Sequence, residues 1–386
     1  SIISALLLQL FSLQTHSSHI PTIIASMGAT DATDSLDLEI SKAIRAVEVG
    51  ATIVTDHTLL PDMEYIHEKI AEKIKVPFSA ISVYEAAVRA KRNQWKIDAI
   101  EMIRIIEEQA KRGIDILTVH ATALRNDIRL LNETPRLIPC TSRGGTMMLE
   151  ILKATKQENP YWVYFDDVLD IAKKYNMTIS LGTCFRPASV YDCMYYNDLY
   201  YMEMERMGKL VERADKKSVG IVIEGIGHAP INIIEDVVKK SKKMCHNAPY
   251  RILTVSTDIA LGYDHIASAI GSANAVYYGA DMITCVSRSE HIGLPSIDDL
   301  CEAVISAKIA AYVGFSARNN DFKRDKVMSE ARNQLGCYGQ IETAIYPEGA
   351  YEAILKRKIK NEKKECSMCG EFCALDANER LFKIKE

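Results

Sequence analysis

Short apolar runs rich in β-branched residues recur along this chain, most of them followed by an amphipathic stretch, and no other feature restricts its fold as strongly. The runs are Thr52–Thr55, Phe78–Val83, Ile114–Val119, Leu137–Cys140, Thr178–Leu181, Gly220–Ile223, Ile252–Val255 and Met282–Val286. Continuous apolar runs suit strands of a parallel sheet that is covered on both faces. Between them, Leu36–Val49, Ile97–Arg112, Asp166–Tyr175, Tyr201–Ala214 and Ile231–Lys243 carry the helical period. Eight strand–helix units predict a (β/α)8 barrel. The rival is a doubly wound open sheet, and it is weakened because no Gly-x-Gly-x-x-Gly follows the first run. Asp298–Val313 reads as the helix that closes the barrel. Asp325–Leu335 and Glu348–Lys360 read as a helical extension, with the lysine-rich run Lys356–Lys364 leading into a cysteine-rich tail. The expected division is an N-terminal segment over 1–25, the barrel over 26–315, and the extension with its tail over 316–386.

A net charge of -4 on 386 residues creates no general field for nucleic acid or a membrane. An anionic ligand would need local arginines and helix N-termini. The ten cysteines are scattered except for the last three, which suits a reducing, cytoplasmic compartment better than a disulfide framework. Ile2 to Phe11 is apolar but too short to span a bilayer. The first residue is serine, so the sequence reads as a processed or truncated start.

Barrel sites are built at the C-terminal ends of the strands. Here those ends read Asp56-His57, Tyr84, His120, Ser142-Arg143-Gly144-Gly145, Arg186, Glu224 with His228, Asp258 with Tyr263-Asp264-His265, and Arg288 with Glu290-His291. A single histidine after a strand is more often structural than a ligand. So many ionisable or aromatic ends around one mouth point to a site. Ser142 to Gly145 suits an anion, through backbone N–H groups at a helix start and the fork of Arg143, although the same residues also make a plain turn. Arg186 on the next loop makes a two-arginine phosphate clamp. His228 and His291 are two neutral imidazoles on nearby loops, enough for a divalent metal, zinc or iron, that keeps open positions. Glu224 is a candidate base, metal ligand or hydrogen-bond partner.

The tail reads Cys366-Ser-Met-Cys369-Gly-Glu-Phe-Cys373. Three thiolates can hold three irons of a [4Fe–4S] cluster and leave the fourth open to a small molecule. The same cysteines also fit a zinc site completed from elsewhere, or a run of free thiols.

Taken in order, Ser-Arg-Gly-Gly, Ser-Leu-Gly-x-x-x-Arg-Pro, Glu-Gly-x-Gly-His, Thr-Asp-Ile-Ala-x-Gly-Tyr-Asp-His, Glu-His-x-Gly-Leu-Pro and Cys-Ser-Met-Cys-Gly run from the barrel into the tail. This set resembles the radical S-adenosylmethionine (SAM) family of phosphomethylpyrimidine synthase and its relative 5-hydroxybenzimidazole synthase, over about Ile24 to Cys373. The resemblance implies a lyase that rearranges 5-aminoimidazole ribonucleotide through a 5′-deoxyadenosyl radical. It implies substrate contacts from Tyr84, His120, Ser142, Arg143, Gly144, Arg186 and Glu224, with Glu224 also catalytic, metal ligation by His228 and His291, and cluster ligation by Cys366, Cys369 and Cys373. It further implies a homodimer served by an electron donor such as flavodoxin or ferredoxin. The first expectation is synthesis of 4-amino-5-hydroxymethyl-2-methylpyrimidine phosphate for thiamine. Synthesis of 5-hydroxybenzimidazole for the cobalamin lower ligand is the alternative, and a non-catalytic metal-binding paralogue is a minor one.

Several positions depart from the family pattern. Ala29, Thr55, Thr183 and Ile226 replace asparagine, methionine, an acidic residue and proline, and Leu261 also replaces a proline. Arg251 stands where a substrate-facing tyrosine is expected, and the last cysteine spacing is one residue short. Arg251 is therefore expected either to join the phosphate clamp as a third cation or to pair with a carboxylate outside the pocket.

Overall fold

The structure is a computed structural model, described over residues 19–33, 35–357 and 368–382. Eight parallel strands close a barrel in chain order. They are β1 (Thr22–Met27), β2 (Ile53–Asp56), β3 (Phe78–Ile81), β4 (Ile116–Val119), β5 (Thr178–Leu181), β6 (Ile221–Glu224), β7 (Tyr250–Ile252) and β8 (Met282–Thr284). The barrel expected from the sequence is present, with one exchange of strands. Leu137–Cys140 is not a strand. Pro139 interrupts it, and Leu137 and Ile138 are exposed, with their N–H groups donated to the carboxylate of Asp192. The missing strand is β1, whose residues are buried almost throughout and which pairs with both β2 and β8 to close the ring.

Helices cover the barrel where the amphipathic stretches lie. Leu36–Val49 buries Ile40, Ala43, Ala46 and Val49 and stops at Gly50, whose φ of 113° is a conformation that suits glycine. The closing helix, Ile297–Asn319, runs beyond the expected Val313. It is the one described helix long and apolar enough to cross a membrane, yet its small-residue face packs within the fold. A Cβ at Gly314 would lie 2.4 Å from the Ala273 carbonyl oxygen of the neighbouring helix.

The chain divides into two compact units, one ending at Asn319 and one beginning at Asn320. In the second, Lys323–Gly339 carries a break at Gly336 and is followed by Pro347–Lys356. Gly370–Phe372 forms a 3₁₀ turn and Ala374–Leu381 a short helix. Cys369 and Cys373 flank that turn. Cys366, the segment Ile2–Phe11 and most of the run Lys356–Lys364 lie outside the described residues.

Candidate active site at the barrel mouth

Ser142 to Gly145 lies on the long β4 connection, the same one that begins with His120, and not after a strand of its own. Ser142 caps the helix Arg143–Thr155 by accepting a hydrogen bond from the Gly145 N–H at 3.1 Å. The following glycines allow close packing. A Cβ on Gly144 would fall 2.2 Å from Cε1 of His120, and one on Gly182 would fall 2.7 Å from its Nε2. The His120 ring is thus held in a slot between two backbones. Burial, opposed by Glu224 and reinforced by Arg186 and Arg251, brings its pKa down to about 4, so the imidazole is neutral. Arg143 is exposed and lies 5.8 Å from the ring centre of Tyr84, which in turn meets His57 edge-on at 5.8 Å.

Glu224, at the end of β6, is buried and held by four donors. Its Oε2 accepts from the Thr183 N–H at 2.7 Å, the Thr183 hydroxyl at 3.0 Å and Arg186 Nη1 at 3.3 Å. Its Oε1 accepts from Arg251 Nη2 at 2.8 Å. Burial raises the Glu224 pKa, but Arg186, Arg251, His120 and the Thr183 N–H together drive it far below the usual carboxylate range. Arg251 lies within β7, one residue ahead of the run expected to form that strand. Its side chain therefore points into the barrel, and its carboxylate partner is Glu224 on the next strand.

Two further groups have no role in the sequence reading. His57 ends the β2 side of the mouth, and burial together with Arg143 and Arg251 takes its pKa to about 4 against the pull of Asp56. Glu203 reaches in from the helix Asp198–Lys217 and is fully buried. It accepts from the Thr122 hydroxyl at 2.6 Å and from the Cys184 and Phe185 N–H groups at 2.7 and 2.9 Å. It fixes the loop that carries Arg186. No local motif marks it, because its partners are far away in the chain.

The rings of His228 and His291 have centres 5.2 Å apart. His228 Nδ1 meets Asp258 at 2.6 Å and His291 Nδ1 meets Asp264 at 2.9 Å. Both Nδ1 atoms are thereby engaged by carboxylates, leaving the Nε2 edges for a ligand, the pairing that commonly orients metal-binding histidines. Metal–nitrogen bonds of about 2 Å at a tetrahedral angle place imidazole centres about 5 Å apart, so the pair fits joint ligation of one ion. Among the described residues no group of three or more His, Cys, Asp or Glu side chains is arranged to hold a metal, so these histidines would leave an open shell. Of the tail cysteines, Cys369 is exposed and Cys373 is buried.

The fold and its polar end define a (β/α)8-barrel protein with a site of arginines, histidines and carboxylates built at its strand ends. The chain belongs to the radical SAM ThiC family, whose model matches residues 18–380. It is 39% identical over 357 residues to phosphomethylpyrimidine synthase of Thermoanaerobacter sp. (strain X514), covering 91% of this chain and 82% of that protein. It is 38% identical over 366 residues to a protein of the same name from Thermus thermophilus, covering 94% and 83%. It is 37% identical over 366 residues to that of Methanocaldococcus jannaschii, covering 93% and 85%. A solved dihydropteroate synthase from Coxiella burnetii, in complex with pteroic acid, overlays with a TM-score of 0.45 at 12% identity, over 76% of this chain and 94% of that one.

Proposed function

We propose that this chain is an enzyme of thiamine-pyrimidine synthesis that converts 5-aminoimidazole ribonucleotide to 4-amino-5-hydroxymethyl-2-methylpyrimidine phosphate. The observation that carries the reading is a set of guanidinium groups beside a helix start. Arg143 stands in the first turn of the helix Arg143–Thr155, and Arg186 and Arg251 share the buried carboxylate of Glu224. That arrangement suits a phosphate monoester.

The phosphate would lie at the start of the helix Arg143–Thr155, against the N–H groups of Arg143 and Gly144, the Ser142 hydroxyl and the Arg143 and Arg186 side chains. Tyr84 and His120 would wall the ribose and base. Neutral His120 can donate or accept one hydrogen bond without adding charge. Arg186 makes the longest of the Glu224 contacts, at 3.3 Å. Recruiting it to the phosphate would remove one donor from the carboxylate and raise its basicity, so substrate binding would ready Glu224 to accept a proton. Arg251 would stay in place and orient it.

Cys366, Cys369 and Cys373 would hold a [4Fe–4S] cluster, and His228 and His291 a zinc or ferrous ion. With SAM, the cluster supplies the deoxyadenosyl radical chemistry of the family. The reading includes a cytoplasmic homodimer and an electron donor of the flavodoxin or ferredoxin kind. Anaerobic turnover of 5-aminoimidazole ribonucleotide with SAM and a reductant, followed by mass spectrometry, tests it. The pyrimidine phosphate is expected, together with rescue of a pyrimidine-requiring thiamine auxotroph. Failure of both with a cluster-loaded protein would refute the assignment.

A further inference from the structure

Strand register traces the inward-facing side chains around the whole barrel, because paired residues on neighbouring strands face the same side. The pairs are Ile24 with Ile53 and Thr284, Thr55 and Ile116 with Ser79, Thr118 and Val222 with Ser180, and Glu224 and Met282 with Arg251. The interior therefore stacks in layers. The lower one is apolar, with Ile53, Ile116, Val222 and Met282 from the even strands forming a cluster with Ile24. Above it come Ile24, Ser79, Ser180 and Arg251 from the odd strands. Above these come Thr55, Thr118, Glu224 and Thr284 from the even ones.

Bulky branched residues usually fill such layers. In this barrel seven of the eight upper positions are polar. The hydroxyls of Thr55, Ser79, Thr118, Ser180 and Thr284 are buried with no partner in the protein, and so is Nε of Arg251. Thr55, Ser79, Thr118 and Ser180 are each only 1% exposed. One orphaned hydroxyl costs about 1–3 kcal/mol. Five in one interior, on β2 to β5 and on β8, amount to a large fraction of a domain's stability, so they need a common partner. Buried water fills that role, typically with about three hydrogen bonds each to groups left unsatisfied.

We propose that the upper barrel interior binds a connected cluster of ordered water, held by these five hydroxyls and by Arg251 Nε, in the same two layers as the Glu224–Arg251 pair. A buried ion pair needs its remaining donors and acceptors satisfied if it is to hold its geometry. The cluster supplies the partner for Nε, so the guanidinium is fixed through Nε while Nη2 holds Glu224. The hydroxyls thus act as positioning residues through water. This follows from register and burial and does not depend on the substrate assigned above.

A high-resolution crystal structure of the full-length, substrate-free protein tests the proposal, with water-oxygen-17 relaxation dispersion as its counterpart in solution. Bridging water density among the hydroxyls and Arg251 Nε is expected. In the variant Thr55→Val, Thr118→Val, Thr284→Val, which keeps the side-chain shapes, the long-lived water signal should fall and Arg251 should turn away from Glu224. Ser180→Ala serves if the triple variant does not fold, and should lose the density next to residue 180. A dry interior, hydroxyls bonded directly to one another or to strand carbonyls, or equal dispersion amplitudes in the folded variant and its parent would overturn the idea.

Discussion

Arg251 Nη2 donates to Glu224 Oε1 at 2.8 Å between neighbouring strands, with both side chains buried. The sequence leaves open whether this arginine joins the clamp or pairs outside the pocket. It pairs, but inside the barrel. Arg251→Met removes the charge and leaves Glu224 buried with Arg186 as its remaining cation. Breaking a buried pair in this way costs about 3–5 kcal/mol. Denaturant unfolding of the two proteins measures it. A loss of about 1 kcal/mol or less, as for an exposed pair, would show that Glu224 does not depend on Arg251.

Stability should fall in mild acid. His120 takes up its proton near pH 4 when folded and near 6.5 when unfolded, and His57 behaves likewise. Between those values the unfolded chain binds more protons, so stability is full above about 6.5 and declines as the pH drops toward 4. His120 alone contributes roughly 3 kcal/mol over that window. Unfolding free energy measured against pH should slope downward there, and His120→Gln should reduce the slope. A slope unchanged in the variant would assign the effect elsewhere.

Gly144→Ala should displace the His120 ring, because the new Cβ would sit 2.2 Å from Cε1 and the slot is closed on its other side by Gly182. Overpacking of this kind costs about 1–3 kcal/mol. We expect weaker ribotide binding, by about tenfold or more, than the loss of stability alone explains. Calorimetric titration of the folded variant gives the answer, and unchanged affinity would remove His120 from the binding wall.

Asp258→Asn should lower metal affinity about 10–100-fold while leaving His228 in place, because the carboxylate orients the imidazole and raises its basicity. Metal analysis after dialysis against a graded chelator reads the change. Equal retention by the variant and its parent would mean that the two histidines are not the metal site.

Cys369→Ala should abolish the absorbance of the reconstituted cluster, since two thiolates do not hold it. Cys193→Ala and Cys245→Ala should keep it. Burial pushes the pKa of both thiols up to about 12, which leaves them protonated and unsuited to iron. Anaerobic absorption spectra of the three variants separate these outcomes, and a full spectrum in Cys369→Ala would move the cluster away from the tail.

The barrel is legible in the sequence because parallel strands buried on both faces leave apolar runs that no amphipathic helix shares. Leu137–Cys140 imitates such a run in composition, and only its exposure and its bonds to Asp192 reveal a loop. Thr22–Met27 is hidden although it closes the ring, because it lies near an N-terminal stretch that is itself apolar. The mouth residues can be read from their place after strands. Their pairings cannot. Asp258 with His228, Asp264 with His291, and Glu203 with the loop of Cys184 join positions distant in the chain, and only the folded geometry selects among the acids available.

Glu203 also ties two loops of the mouth to each other. Its carboxylate grips Thr122 on the loop after β4 and Cys184 and Phe185 on the loop after β5, from the helix that leads on to β6. These loops are stapled to a common post. Parting them would expose a buried carboxylate and break three hydrogen bonds at once. Asp258 extends the same clamp by accepting the Val190 N–H at 2.7 Å, which ties the β7 loop to the β5 connection. Carboxylates thus hold the rim together from the β4 loop to the β7 loop.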